Sequence, residues 1–211
     1  MFVKLYAKEM YDVDYHQIFL FLTKYINKND DILDAGMGPG YLLKEFLIND
    51  YLNIIGVDND EAMINYAYNE LNLYGKAFLH DLNEEINVKF DAVISVFDVV
   101  NYFQDFTLFF KNVYNALNKD GVFIFDVYSY ETFNKMNDYK EEFADYSWQV
   151  KTDGNEINHL ISNKGEEIKI KQYYFPVDVY IQKLNKLGFI TSVVEGPDIR
   201  KAYIIAKKET E

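Results

Sequence analysis

The sequence predicts an α/β fold in which a doubly wound, mostly parallel sheet carries a small antiparallel β lid. Through residue 127, short apolar runs alternate with segments whose apolar residues recur at helical spacing, which is the pattern of βαβ units. These runs are almost continuously apolar, as strands covered on both faces are. After residue 128, segments of strand character are joined by hairpin turns, and they predict the lid.

The parallel part begins with a helix predicted over about residues 11–26, because Tyr15, Ile18 and Leu22 share one helical face. Five strands are then predicted at residues 32–33, 53–57, 75–79, 90–96 and 121–125. The helices between them are predicted from apolar residues at helical spacing within 42–47, 62–71 and 106–117. No repeat or linker interrupts this alternation, so the strands are expected to share one sheet.

The lid combines a helical stretch with antiparallel strands. The helical stretch is predicted at residues 130–140, and the strands are predicted around 143–152, 155–162 and 166–174. Asp153-Gly154 and Asn163-Lys164-Gly165 supply the hairpin turns.

The chain then returns to the parallel fold. Pro176 opens a helix in its first turn and Gly188 ends it. Strands at 189–195 and 201–206 follow as a terminal hairpin. The predicted division is residues 1–128 plus 176–211 as one domain and 129–175 as an inserted lid.

Composition and charge exclude several classes of protein. The chain has no cysteine, which excludes disulfides and cysteine nucleophiles and fits a cytoplasmic protein. Its formal net charge of −13 repels phosphate backbones, so no nucleic-acid partner is expected. No secretory signal or membrane-spanning apolar run is visible, so no membrane partner is expected. Arg200 is the single arginine, so bidentate clamps on phosphate or carboxylate are nearly absent.

Acidic and glycine-rich features follow three successive predicted strands, where open α/β sheets bind ligands. The first is Asp34-Ala35-Gly36-Met37-Gly38-Pro39-Gly40, and the others are Asp58 and Asp81. The glycines allow a ligand to approach the backbone closely. Asp58 is placed to accept hydrogen bonds from both hydroxyls of a ribose, and Asp81 from an exocyclic amine. Together these residues suit an adenosine-containing cofactor.

The spacing of the glycines discriminates among adenosine cofactors. A dinucleotide loop needs Gly-x-Gly-x-x-Gly, but Tyr41 stands where the third glycine would fall. No Gly-Lys-Ser/Thr follows, which excludes a Walker loop. An acid two residues before Gly36 disfavours a pyrophosphate and favours a cation. S-adenosylmethionine, which has an ammonium and a sulfonium but no phosphate, fits better.

With these motifs the chain resembles the class I S-adenosylmethionine-dependent methyltransferases. The resemblance is carried by residues 34–40, Gly56-Val57-Asp58, His80-Asp81-Leu82, the fourth and fifth strands and the terminal hairpin. It implies the sheet order 3-2-1-4-5-7-6 with strand 7 antiparallel, S-adenosyl-L-methionine as cofactor and S-adenosyl-L-homocysteine as product. No cluster of histidines and carboxylates has metal-ligand spacing, so no metal is expected. The implied cofactor contacts are Tyr15, Asp34, Gly36, Gly38, Gly40, Asp58, Asn59, Met63, Asp81, Leu82, Val96 and Phe97.

A narrower resemblance is to bacterial small-molecule methyltransferases, including sugar-amine and glycine N-methyltransferases. It rests on residues 6–15 and on Asp98-Val99-Val100-Asn101-Tyr102, in which Val99 replaces the serine of the relatives' Asp-Ser-x-Asn-Tyr. The catalytic candidates are Asp98, Tyr102 and Asp126. The substrate candidates include lid aromatics, whose faces can stabilise methylated cations. They are Tyr11, Asn101, Tyr130, Trp148, His159 and Tyr174.

The predicted activity is transfer of a methyl group to nitrogen or oxygen of a small molecule by in-line displacement. The chain lacks Asn/Asp-Pro-Pro-Tyr/Phe after the fourth strand, which argues against nucleic-acid amines as acceptors. Three alternatives stay open: the same fold acting on protein or RNA, a cofactor-binding scaffold without catalysis, and a nicotinamide oxidoreductase. Tyr41 and the terminal hairpin disfavour the last. A homodimer formed through the lid also stays open.

Overall fold

The chain forms five parallel strands first and the lid next, and it ends with a helix and two strands that complete the main sheet. In the computed structural model, which describes residues 2–163 and 165–209, the α-helices are α1 (Phe2–Tyr11), α2 (Tyr15–Leu22), α3 (Tyr41–Ile48), α4 (Glu61–Asn69), α5 (Thr107–Ala116), α6 (Tyr130–Met136) and α7 (Val177–Lys186). The strands are β1 (Ile32–Ala35), β2 (Ile54–Asp58), β3 (Ala77–Leu79), β4 (Phe90–Ser95), β5 (Leu117–Tyr128), β6 (Tyr139–Glu142), β7 (Ser147–Asp153), β8 (Glu156–Asn163), β9 (Glu166–Tyr173), β10 (Phe189–Val194) and β11 (Lys201–Lys208). A 3₁₀ turn covers Val99–Tyr102.

Seven strands form the main sheet in the order β3-β2-β1-β4-β5-β11-β10. Strands β1 to β5 pair in parallel, whereas β11 is antiparallel to both β5 and β10. The predicted order with an antiparallel last strand is therefore confirmed. This order reverses direction between β1 and β4, the point at which such sheets open a ligand crevice.

Side chains of the strands alternate between two apolar layers. Ile32 and Ile124 face the layer that contains α2, α3 and α4. Leu33 and Phe123 face the opposite layer, which contains α5 and α7. Both faces of the sheet are thus covered, which explains why the strands are apolar at nearly every position.

The lid is a second, antiparallel sheet of four strands in the order β6-β7-β8-β9. The sequence predicted three strands, because every residue of β6 is exposed and its charged residues give no alternating apolar signal. The first predicted lid strand starts later than expected, at Ser147 rather than residue 143. Lys164 of the second predicted turn lies outside the described residues. The division into two domains stays a prediction.

The N-terminal region differs from its prediction. The helix expected over residues 11–26 begins at Tyr15, because the Asp14 carboxylate accepts a hydrogen bond from the Gln17 N–H and caps the helix there. Ahead of it lies α1, which the sequence analysis missed. Buried Val3 and Ala7 fall four residues apart on α1, so an apolar pattern at helical spacing was present but extended over few residues.

The C-terminal region follows the prediction with one shift. Pro176 is the N-cap of α7 rather than a residue of its first turn. Gly188 ends the helix in the left-handed conformation (φ 97°), as a glycine C-cap does. Among the described helices, none combines the length and the apolar character needed to cross a membrane.

Candidate active site

A cavity opens at the carboxyl ends of β1 to β4, above the glycine loop between β1 and α3. The sequence-predicted residues that line it are Tyr15, Asp34, Gly36, Gly38, Asp58, Asn59, Asp81, Leu82, Val96, Phe97 and Tyr102. All predicted cofactor contacts except Gly40 and Met63 are therefore brought together around one cavity. Their roles as ligand contacts stay predictions.

Asp58 at the end of β2 connects the second strand to the glycine loop. Its Oδ2 accepts a hydrogen bond from the Gly38 N–H at 2.9 Å, and its Oδ1 accepts one from the Asp60 N–H at 2.9 Å. Burial raises the pKa of Asp58, although the backbone N–H groups of Asp60 and Gly38 oppose this. The carboxylate therefore fixes the loop and still faces the cavity.

Asp34 at the end of β1 is a buried carboxyl without a compensating cation. Its Oδ2 has no hydrogen-bond partner among the described residues. Burial, and secondarily the charge of Asp58, raises the pKa of Asp34 to about 7. A buried acid in this state is suited to a positively charged or hydrogen-bond-donating ligand.

The glycines of the loop have different tasks. Gly36 has φ 83°, and a Cβ there would lie 2.6 Å from Val99 Cγ1. Gly40, with φ 91°, precedes α3 and lies outside the lining, and a Cβ there would lie 2.7 Å from Leu73 Cδ1. The absence of a side chain at Gly40 therefore allows Leu73 to pack closely against the loop. Met63 is likewise buried without lining the cavity.

The loop after β3 forms the far side of the cavity. Asp81 Oδ1 accepts hydrogen bonds from the backbone N–H and the side-chain amide of Asn83, at 2.9 and 3.1 Å. Its neighbour His80 also lines the cavity, and its buried Nε2 has no partner among the described residues. The sequence analysis quoted His80 only as part of a motif and gave it no role.

Further lining residues were missed because α1 was missed. Tyr6 and Met10 of α1 close one side of the cavity. A Cβ on Gly38 would lie 3.6 Å from the Tyr6 ring, so α1 packs directly over the glycine loop. The spacing of residues 3, 6, 7 and 10 is the signal that could have identified this helix.

The cavity is lined by acidic side chains that no lysine or arginine of the described lining offsets. Among the described lining residues, Asp34, Asp58 and Asp81 carry carboxyl groups, and none is a lysine or an arginine. Such a cavity opposes anionic ligands and attracts cations.

The end of the cavity beside α1 is aromatic. The rings of Tyr15 and Phe97 meet edge to face with centroids 5.6 Å apart, and Tyr6, Tyr41 and Tyr102 line the same cavity. Burial, followed by the carboxylates of Asp98 and Asp58, raises the pKa of Tyr102. Tyr102 is therefore protonated near neutral pH, where it can donate a hydrogen bond but cannot act as a base.

Asp98 and Asp126 were expected to face the reacting atoms, but neither lines the cavity, and their catalytic roles stay predictions. Asp126 is buried, and its oxygens accept hydrogen bonds from the N–H groups of Phe97 and Asp98 at 2.8 and 2.6 Å. Burial raises the pKa of Asp126 to about 6, while the charge of Lys201 opposes this. Both oxygens of Asp98 are likewise engaged by hydrogen bonds, so both acids organise the protein itself.

None of the predicted substrate residues lines the cavity. Asn101 is buried, donating to the Tyr173 carbonyl at 2.7 Å and accepting from the Tyr128 N–H at 3.2 Å. Tyr11 and Tyr130 are exposed by 71% and 65%.

The remaining lid candidates belong to the interior of the lid. Tyr174 stacks on Phe133 with ring centroids 4.2 Å apart. Trp148 donates a hydrogen bond to His159 at 3.2 Å. Tyr174, Trp148 and His159 therefore contact other residues of the lid, and their roles in substrate binding stay predictions.

Comparison with known proteins identifies the family to which the chain is related. A sequence profile described as a methyltransferase domain matches residues 6–165. The carboxy-S-adenosyl-L-methionine synthase of Campylobacter concisus is 34% identical over 126 residues, which cover 54% of this chain and 51% of that protein. The chain thus spans about half the length of that relative.

Two solved structures share the fold. An S-adenosylmethionine-dependent methyltransferase from Clostridium acetobutylicum superposes with a TM-score of 0.80 at 22% identity, covering 99% of this chain and 98% of that one. A sugar N-methyltransferase from Streptoalloteichus superposes with a TM-score of 0.77 at 16% identity, covering 98% and 92%. The lid is included in both superpositions, since nearly the whole chain is covered.

Proposed function

The protein belongs to the family of S-adenosylmethionine-dependent methyltransferases, and from that premise we propose that it methylates a small molecule at an amine nitrogen. The observation that carries the proposal is the charge of the cavity. Three carboxyl groups and several tyrosines line it, and no described lining residue is a lysine or an arginine. An amine suits these surroundings, whereas a phosphate or carboxylate near the reacting atoms does not. An alcohol oxygen is the second acceptor compatible with them.

The cofactor supplies a methyl group on a sulfonium, and the residues around the cavity fit it. We assign the ribose hydroxyls to Asp58, the exocyclic amine of adenine to Asp81 and the ammonium to Asp34. The unpartnered Oδ2 of Asp34 supports the last assignment, because a buried carboxyl oxygen without a donor is costly until a ligand provides one.

The aromatic end of the cavity would receive the acceptor. Tyr102 lines the cavity and is protonated near neutral pH as phenols are, so its hydroxyl can orient the acceptor by hydrogen bonding. Tyr15 and Phe97 line the same end, and aromatic rings can stabilise a positive charge. In-line methyl transfer depends mainly on such alignment. An amine that is attracted as its ammonium loses its proton to water before the attack, because only the free base has the lone pair that displaces the sulfonium.

A carboxylated cofactor, as in the name of the Campylobacter relative, is disfavoured. It would add a negative charge to a cavity whose described charges are already negative. The single arginine, Arg200, lies outside the lining and forms an ion pair with Asp198 at 2.8 Å. No guanidinium is therefore available there to receive the extra carboxylate.

The test is to incubate the protein with S-adenosylmethionine and matched panels of small amines, alcohols and carboxylic acids, and to measure S-adenosylhomocysteine. We expect product above the acceptor-free rate with amines and little or none with carboxylic acids. Asp58→Ala should lower turnover with every acceptor, whereas Glu61→Ala, which removes an exposed charge nearby, should not. Turnover with carboxylic acids alone would contradict the proposal.

A further inference from the structure

A chain of polar side chains joins the lid sheet to the wall of the cavity; we name Trp148, His159, Gln172 and Asp98 the lid relay. Trp148 Nε1 on β7 donates to His159 Nδ1 on β8 at 3.2 Å. The neutral ring therefore carries its proton on Nε2, which donates to Gln172 Oε1 on β9 at 3.0 Å. Gln172 Nε2 donates in turn to Asp98 Oδ2 at 2.6 Å.

The relay ends at a turn whose backbone needs external support. Phe97 and Asp98 have φ of 66° and 56°, and two consecutive non-glycine residues in the left-handed region persist only where neighbouring groups hold them. Asp126 holds their N–H groups. The Phe97 ring lines the cavity, so the position of this turn sets one wall of the site.

The side chain of Asp98 is held from two directions. From the main sheet, Lys201 on β11 forms an ion pair with Oδ1, and the Tyr128 hydroxyl on β5 lies 2.9 Å from Oδ2. From the lid, the contact is Gln172, which is buried. The turn is thus bonded to both sheets through one carboxylate.

We propose that Gln172 is a positioning residue for methyl transfer, coupling the lid to the Phe97–Asp98 turn through its hydrogen bond to Asp98. The proposal rests on the proposed function, in that the cofactor occupies the cavity that Phe97 lines. A ligand that displaces Phe97 then shifts Asp98, Gln172 and the ring of His159. Conversely, a displaced lid moves the wall against which donor and acceptor are aligned.

Trp148 provides a direct reporter, because it is the only tryptophan of the chain and its indole N–H is the first member of the relay. The indole proton gives one resonance in a ¹H–¹⁵N spectrum of the labelled protein. We expect S-adenosylhomocysteine to shift this resonance in the wild type, although Trp148 does not line the cavity. Calorimetry on the same samples measures the binding itself.

Gln172→Met interrupts the relay with a side chain of similar length that cannot donate to Asp98. The ligand-induced shift of the indole resonance should become at least about fivefold smaller, while the affinity for S-adenosylhomocysteine stays within about threefold. Gln172→Leu, which also removes the donating amide, should have the same effect and serves if the methionine variant is unfolded. Gln149→Met, on the same strand as Trp148, should retain the full shift.

Two results overturn the proposal: a wild-type resonance that does not respond to bound ligand, and a response in Gln172→Met equal to that of the wild type. A purely structural role for Gln172 predicts the second result. Absence of calorimetric binding by the folded wild type contradicts the proposed function itself, and the relay proposal falls with it. The calorimetric and spectroscopic measurements therefore separate the two failures.

Discussion

At the scale of single residues, Asp34 shows how a binding site opposes the stability of its own protein. Its pKa rises from 3.8 to about 7 because of burial. Between these values the folded carboxyl holds a proton that the unfolded one has lost. The free energy of unfolding therefore falls as pH rises through this window and levels off above about pH 7.

The corresponding prediction concerns Asp34→Asn, which is neutral at every pH. At about 1.4 kcal/mol per pKa unit, the variant should gain roughly 3–4 kcal/mol relative to the wild type between about pH 4 and pH 8 without ligand. Urea unfolding across this range measures the difference. Asp126, whose pKa is raised to about 6, is present in both proteins, so its contribution to the pH dependence cancels in the difference between them. Parallel pH curves would show that Asp34 keeps its ordinary pKa.

A second residue-scale prediction concerns Asp58→Ala. Removing a charged hydrogen-bond partner of the ribose should weaken binding of S-adenosylhomocysteine by about 1–3 kcal/mol. Part of this loss comes from the glycine loop, because Asp58 also accepts from the Gly38 N–H. Calorimetric titration measures the affinity, with Glu61→Ala as the matched loss of one nearby charge. Unchanged affinity in Asp58→Ala would reject the ribose assignment.

At the scale of elements, the glycine loop between β1 and α3 combines backbone strain with close packing. Gly36→Ala should cost roughly 1–2 kcal/mol for its positive φ and about 1–3 kcal/mol more for overlap with Val99. Gly75→Ala is the matched control, because Gly75 also has a positive φ (73°) but no neighbouring atom lies within 4 Å of the position that a Cβ would take there. Urea unfolding of both variants separates the two costs.

The double variant Gly36→Ala/Val99→Ala tests the packing part alone. Removing the Val99 methyl groups relieves the overlap at 2.6 Å but leaves the backbone strain. We therefore expect the double variant to recover stability toward the level of Gly75→Ala. Equal losses in Gly36→Ala and Gly75→Ala would show that overlap with Val99 is not the cause.

Sequence predicted the elements whose patterns arise from burial. Strands β1, β2, β4 and β5 lie between two apolar layers, so their composition identifies them without knowledge of their neighbours. The edge strand β6 is exposed along its whole length, and no burial pattern exists there to be detected.

The candidate site divides in the same way. Most of the predicted cofactor contacts line one cavity, because the glycine loop and the strand-end acids occur at fixed places in a parallel sheet. Asp98 follows β4 and Asp126 lies near the end of β5, close to where the sequence placed them, but Asp98 is bonded to the distant residues Gln172 and Lys201. The residues adjacent to Asp98 in the sequence cannot show that its carboxylate already accepts a hydrogen bond from a lid residue.

At the scale of the whole molecule, charge connects the surface with the cavity. The chain carries a formal net charge of −13, and the described charges of the cavity are negative as well. Both fields favour an approaching cation. The absence of a nucleic-acid partner, a homodimer through the lid and a cytoplasmic location stay predictions.

The last prediction follows from this field and uses two ligands that differ mainly by one charge. S-adenosylmethionine carries a sulfonium and a methyl group that S-adenosylhomocysteine lacks, so the difference in their salt dependence isolates the interaction of that charge with the protein. Because salt screens charges over about 10 Å at 0.1 M, raising the salt concentration should weaken binding of S-adenosylmethionine roughly 2–5-fold more than binding of S-adenosylhomocysteine. Calorimetric titration of both ligands at low and high salt measures the ratio. Equal salt dependence would mean that the carboxyl groups of Asp34 and Asp58 do not act on the sulfonium, and the preference for a cationic acceptor would then lose its electrostatic basis.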